Sequence, residues 1–176
     1  AGFTHWAKLN NLKQAAKTMN FLTEHGISNY GELESKLTAL SARRDTAHAE
    51  IKQIESRSAE LTLVMKHAGT YRQLKPLYDR YRKSNDKEKF LRGHESEIIL
   101  FEAAARELKR LGAVPLPITE SMKTELANLN AEKERLLAEY KAARTEAQEY
   151  ETVKQNVDAL LTVAKEQEQQ RRHELE

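Results

Sequence analysis

A seven-residue apolar repeat constrains this chain more than any other feature. From Leu33, steps of four and three give Leu37, Leu40, Arg44, Ala47, Ile51, Ile54, Ser58, Leu61, Met65 and Ala68, with only Arg44 and Ser58 out of character. A second run starts at Met122 and passes through Leu126, Leu129, Lys133, Leu136, Tyr140, Ala143, Ala147, Tyr150, Lys154, Val157, Leu161 and Ala164. A straight α-helix has about 3.6 residues per turn, so a sustained period of about 3.5 drives left-handed supercoiling against a partner helix. Two such segments in one chain predict an all-α fold, an elongated antiparallel coiled-coil hairpin with shorter helices at the N-terminus and tip. The alternative is a parallel homodimer through one seam. That arrangement sets Arg44, Lys133 and Lys154 face to face at buried positions, which is costly. In an offset antiparallel pair their heads reach outward past the seam, so pairing within one chain is the expectation.

Composition agrees. Charged residues make up 32% of the 176, with six Gly and three Pro, the profile of long helices rather than of a compact α/β enzyme. Cysteine is absent, which excludes disulfides, thiolate catalysis and Cys-ligated zinc and fits a reducing cytoplasm. No apolar run approaches the ~20 residues that a membrane span needs, and no signal peptide precedes the first amphipathic stretch. The chain opens at Ala1 without a methionine and is read as a fragment or a processed form.

Punctuating residues divide the chain into five parts. Residues 1–27 hold a helix from about Thr4, its cap, to His25, with Trp6, Leu9, Leu12, Ala16 and Met19 at helical spacing and Gly26 as the stop. Residues 28–69 are the first coiled-coil helix, opened by Ser28 and interrupted or bent at Gly69-Thr70. Residues 70–118 form a helical tip, with a kink near Pro76. In it Ser84-Asn85-Asp86 is the turn and cap cluster. The tip's second helix puts Phe90, Ile98, Phe101, Ala105 and Leu108 inward, with Gly93 a weak point, and an extended linker follows with Pro115 and Pro117. Residues 119–165 are the second coiled-coil helix, capped by Thr119, and residues 166–176 are a frayed tail.

Catalytic and metal chemistry find no footing. The six histidines are scattered, and the nearest approach to a metal pair is His94 with Glu97, which lacks a third ligand. The glycines are isolated terminators, so no phosphate loop exists, and carboxylates alternate with cations as on an exposed helix face. No cofactor is expected. One constellation departs from this background. Between Tyr71 and His94 stand Arg72, Lys75, Arg80, Arg82, Lys83, Lys87, Lys89 and Arg92 against Asp79, Asp86 and Glu88, interleaved with Tyr71, Tyr78, Tyr81 and Phe90. Cations neutralise phosphates and rings stack on unpaired bases, so Arg72, Lys75, Arg80, Arg82, Lys83, Lys87, Lys89 and Arg92 are the candidate nucleic-acid contacts, with Tyr81 as the stacking ring. The competing reading has the rings packing the tip and the charges solvating it, or facing an acidic protein.

Three groups of strings carry a resemblance. Trp6-Ala-Lys-Leu-Asn-Asn-Leu-Lys-Gln-Ala-Ala-Lys-Thr-Met-Asn-Phe-Leu resembles the segment that follows the nuclease domain in conjugative relaxases (mobilisation proteins) of Gram-positive gut bacteria. So do Tyr71-Arg-Gln-Leu-Lys-Pro-Leu-Tyr with Asp86-Lys-Glu-Lys-Phe, and His94-Glu-Ser-Glu-Ile-Ile-Leu-Phe-Glu-Ala-Ala-Ala-Arg. The likeness covers residues 5 to about 160. Members of that family nick DNA at a transfer origin with a tyrosine and a histidine-bound metal. This chain has no histidine cluster, so no catalytic residue carries over. The resemblance implies the helical C-terminal region without its nuclease, contacting DNA, conjugation accessory proteins or coupling proteins. The other reading is a structural coiled-coil spacer or oligomerisation module.

Overall fold

The computed structural model describes the backbone of residues 2–173 and the side chains of residues 11–173. Four α-helices account for most of it: α1 (Gly2–Glu24), α2 (Tyr30–Lys83), α3 (Lys87–Arg110) and α4 (Thr119–His173). The all-α expectation holds, and the two longest helices, α2 and α4, pack against each other. Two compact units divide the chain, Ala1–Ala49 with Leu137–Glu176 and Glu50–Leu136. Both α2 and α4 contribute to each.

In the first unit the pairs Tyr30–Asp158, Lys36–Glu146 and Arg43–Glu139 run in opposite order along the two helices. The pairing is therefore antiparallel. Its core is Leu33, Leu40, Ala147, Tyr150 and Val153, with Phe21, Leu22, Ile27, Leu37 and Val157 against it. The Tyr150 ring is enclosed, with Phe21 edge-on at 5.0 Å and His25 at 5.6 Å. In the second unit Lys133–Glu55 and Glu125–Arg57 again run antiparallel. Here Leu61, Val64, Ala68 and Met122 of the long helices meet Leu108 and Ala113. Most seam positions are buried or half-buried, because period and geometry agree. The seam cations find acids at the rim: Lys133 meets Glu55 at 2.7 Å, Lys154 meets Asp158 at 3.3 Å, and Arg44 meets Asp45 at 2.8 Å.

Helix ends follow local chemistry. The Asn29 side chain accepts from the Glu32 amide and Glu32 reaches back to the Ser28 amide, so the cap of α2 is Asn29 where Ser28 was expected. Asp86 caps α3 by accepting from the Lys89 amide at 3.0 Å, as expected. Gly26 and Gly112 take φ of +65° and +67°, and the amides after them bond back to Leu22 and Leu108 at 2.8 and 2.9 Å. Both ends are Schellman closures, which need a left-handed residue.

Four expectations are corrected. α1 already runs from Gly2, so Thr4 lies within it and does not cap it. The side chains of Trp6 and Leu9 lie outside the described residues. The helix also turns another face inward: Leu12 and Met19 are 72% and 59% exposed, while Thr18 is buried. The Thr18 hydroxyl is satisfied by Asn156 of α4, which also accepts from Gln14. Second, α2 is not interrupted at Gly69-Thr70 but continues through it and through Pro76. Pro76 is exposed, so solvent can serve the carbonyl its ring leaves unpaired, while Tyr71 and Tyr78 anchor the helix on either side by stacking on Phe101. Third, the break in α3 falls at His94, with φ −141° and ψ 25°, one residue past the weak point at Gly93; Ala104 rather than Ala105 is the buried alanine of this helix. Fourth, the α4 seam outruns its partner. Leu161 is 47% exposed and Ala164 is exposed as well, because α2 begins at Tyr30, which is already paired with Asp158.

Candidate nucleic-acid interface

The basic segment occupies the last three turns of α2, the turn Ser84–Asp86 and the first two turns of α3, all within the second unit. The structure sorts its cations into two groups. Arg72 and Lys75 have intramolecular work. The Arg72 guanidinium donates to the Pro117 carbonyl at 2.7 Å and to the Thr119 hydroxyl at 2.5 Å, tying the linker to α2. Lys75 donates to both carboxylate oxygens of Asp79, at 2.6 and 2.7 Å, an i,i+4 pair of opposite charge.

The other six cluster around the turn. Arg80, Arg82, Lys83, Lys87, Lys89 and Arg92 are exposed and form no ion pair among the described residues. Arg80 lies over the Phe90 ring at 5.9 Å, which orients it without neutralising it. The helix dipoles treat the two sides differently. Arg80, Arg82 and Lys83 stand at the negative end of α2, where cations stabilise the helix. Lys87 and Lys89 stand at the positive end of α3, where a cation costs about 0.3–1 kcal/mol, partly offset by Asp86 and Glu88. Folding thus accounts for the first three and not for Lys87 and Lys89.

The rings form a packed ladder. Tyr71 and Tyr78 stack on Phe101 at 4.7 and 4.1 Å. Tyr81 sits 5.9 Å from Tyr78 and 6.1 Å from Phe90, and Phe90 sits 4.8 Å from His94. Burial pushes the Tyr78 phenol pKa up, helped by the Glu102 carboxylate that accepts from it at 3.4 Å. Phe101 is the residue that reading the basic segment alone missed. Its signal was the inward phase of α3, not its place in the charge run.

His94 and Glu97 approach to 3.6 Å, and no group of three potential metal ligands occurs among the described residues. No helix among them is long and apolar enough to cross a membrane. No protein-family model, curated protein or solved structure matches the chain.

Proposed function

We propose that this chain is a non-catalytic helical region that contacts DNA through the cations bracketing the α2–α3 turn. In keeping with its resemblance, it serves a relaxase during conjugative DNA processing in the cytoplasm. The observation that carries the reading is the cluster of Arg80, Arg82, Lys83, Lys87, Lys89 and Arg92, six cations within 13 residues with no acid paired to them among the described residues. Such a cluster repels itself, and Lys87 and Lys89 sit where the α3 dipole opposes them, so an external polyanion relieves a strain built into the fold. Six phosphate contacts lose about 10³-fold in affinity between 50 and 200 mM salt. Charge reversal at Arg80, Arg82 and Lys83 together is expected to abolish DNA binding with helix content preserved. Unaltered affinity in that triple variant, or no affinity of the parent chain at low salt, sinks the reading.

A second reading has its own observation. Leu12, Met19, Leu160, Leu161 and Val163 are between 41% and 72% exposed in the first unit. Apolar surface of this kind suits a protein contact, whether with an accessory or coupling protein of the transfer machinery or with a second copy in a homodimer. In that reading the chain is a spacer or oligomerisation module, and sedimentation analysis of the parent against Leu12→Ser/Leu161→Ser tests the homodimer.

A further inference from the structure

The rings of the basic patch face one another rather than solvent. Tyr71, Tyr78, Tyr81 and Phe90 are each partly buried. Tyr71 and Tyr78 spend a face on Phe101, and Tyr81 is bracketed by Tyr78 and Phe90 at 5.9 and 6.1 Å. Proteins that hold single strands without sequence preference combine a basic groove with rings on which bases stack. This patch supplies the charge and has its rings engaged elsewhere.

The cations are compact in addition. Arg80, Arg82 and Lys83 share the last turn of α2, and Lys87, Lys89 and Arg92 share the first two turns of α3. At about 1.5 Å of rise per residue, each trio spans under about 8 Å of helix axis. A duplex presents one charge per ~1.7 Å of axis, whereas each strand alone presents one per ~3.4 Å. A tight trio therefore meets a denser field of phosphate charge on a duplex than on a single strand.

From the engaged rings and the compact cations we infer that the patch takes double-stranded DNA by its phosphate backbone, rather than an unpaired strand by base stacking. The inference rests on the nucleic-acid reading above and narrows its substrate. Contacts of this kind position without reading sequence. Tyr81 acts in it as a packing residue for Phe90 and Tyr78.

Fluorescence anisotropy with the full chain tests this, using a labelled duplex of about 20 bp and its single strand across 50–200 mM salt. The expected result is duplex binding tighter by at least about tenfold, with the steeper salt slope of ~0.9 against ~0.7 per phosphate neutralised. Tyr81→Leu keeps apolar volume and removes the π-face, and should leave both affinities within about twofold, since a stacked base lost would show as about fivefold or more. Single-strand affinity equal to or above that of the duplex overturns the inference while the nucleic-acid reading stands. So does a fall of about fivefold or more in single-strand affinity on Tyr81→Leu with the helical circular dichroism unchanged. Absence of binding to either probe at 50 mM salt overturns both readings together. The parent-chain comparison decides the matter even if the variant fails to fold.

Discussion

Arg72 donates to the Pro117 carbonyl oxygen at 2.7 Å, a contact between residues 45 apart in sequence. That bond, with its companion to Thr119, converts a residue of the basic run into a clasp on the linker that starts α4. Arg72→Ala is expected to cost about 1 kcal/mol, below the ~1.5–3 kcal/mol of a charge-assisted bond because the site is exposed. Its DNA affinity should stay within about twofold of the parent chain, since Arg72 is engaged by Pro117 and Thr119 rather than free for phosphate. Chemical denaturation and anisotropy on the same sample check both. A large affinity loss at unchanged stability would return Arg72 to the interface.

The packing makes a sharper contrast available. Leu33 and Leu108 are each 1% exposed, one in the core of each unit. Leu33→Ala and Leu108→Ala should each cost about 2–5 kcal/mol, the lost transfer energy plus the cavity left behind. Leu12→Ala and Leu161→Ala, at 72% and 47% exposed, should stay within about 0.5 kcal/mol. Urea midpoints of the four variants measure this directly. Destabilisation of comparable size at Leu12 would restore the inward face first expected for α1.

Acid should weaken the first unit through one bond. Tyr30 donates to the Asp158 carboxylate at 2.6 Å, and this bond, with Lys154 beside it, holds the Asp158 carboxyl below its usual range. A carboxyl with a depressed folded pKa contributes stability above its unfolded pKa of about 3.9, and that contribution is lost as the pH falls through the depressed value. Tyr30→Phe removes the leading cause. Between about pH 6 and pH 3 the parent should therefore lose more stability than Tyr30→Phe. Parallel pH profiles for the two proteins would show that the bond contributes nothing.

What the sequence disclosed depends on how local the cause is. The seam from Leu33 to Ala68 was legible because a period is a local property that survives any choice of partner. The inner face of α1 was not. Leu12, Ala16 and Met19 imitate a seam, yet the buried residue is Thr18, whose hydroxyl is served by Asn156 from 138 residues away. Nor could the α4 pattern reveal that its partner helix starts at Tyr30, leaving Leu161 uncovered. The candidate interface was legible as a density of charge between Arg72 and Arg92. Lys75 could have been withdrawn from it at once, since Asp79 lies four residues on in the helical pairing position. Arg72 could not, because its partners Pro117 and Thr119 are reached only through the fold.

Three glycines separate backbone freedom from side-chain space, and they should respond in opposite directions. A Cβ placed on Gly69, Gly93 or Gly112 meets no atom within 4 Å, so none of the three substitutions is opposed by a clash. Gly69 and Gly93 lie inside α2 and α3 and are not among the residues with positive φ. There an alanine removes unfolded-state entropy and is expected to stabilise by about 0.4–1 kcal/mol. Gly112 holds φ +67° to close α3, where its amide bonds to the Lys109 carbonyl at 3.1 Å. Alanine there must adopt the left-handed region, at a cost of about 1–2 kcal/mol. Thermal melts of the three single variants should thus place Gly69→Ala and Gly93→Ala above the parent and Gly112→Ala below it. Gly93 is the more exacting case, because His94 beside it leaves helical geometry. A melting temperature lowered by Gly93→Ala would mean that the break in α3 requires glycine before it, and that straightening the helix pulls Phe90 off its neighbours Tyr81 and His94.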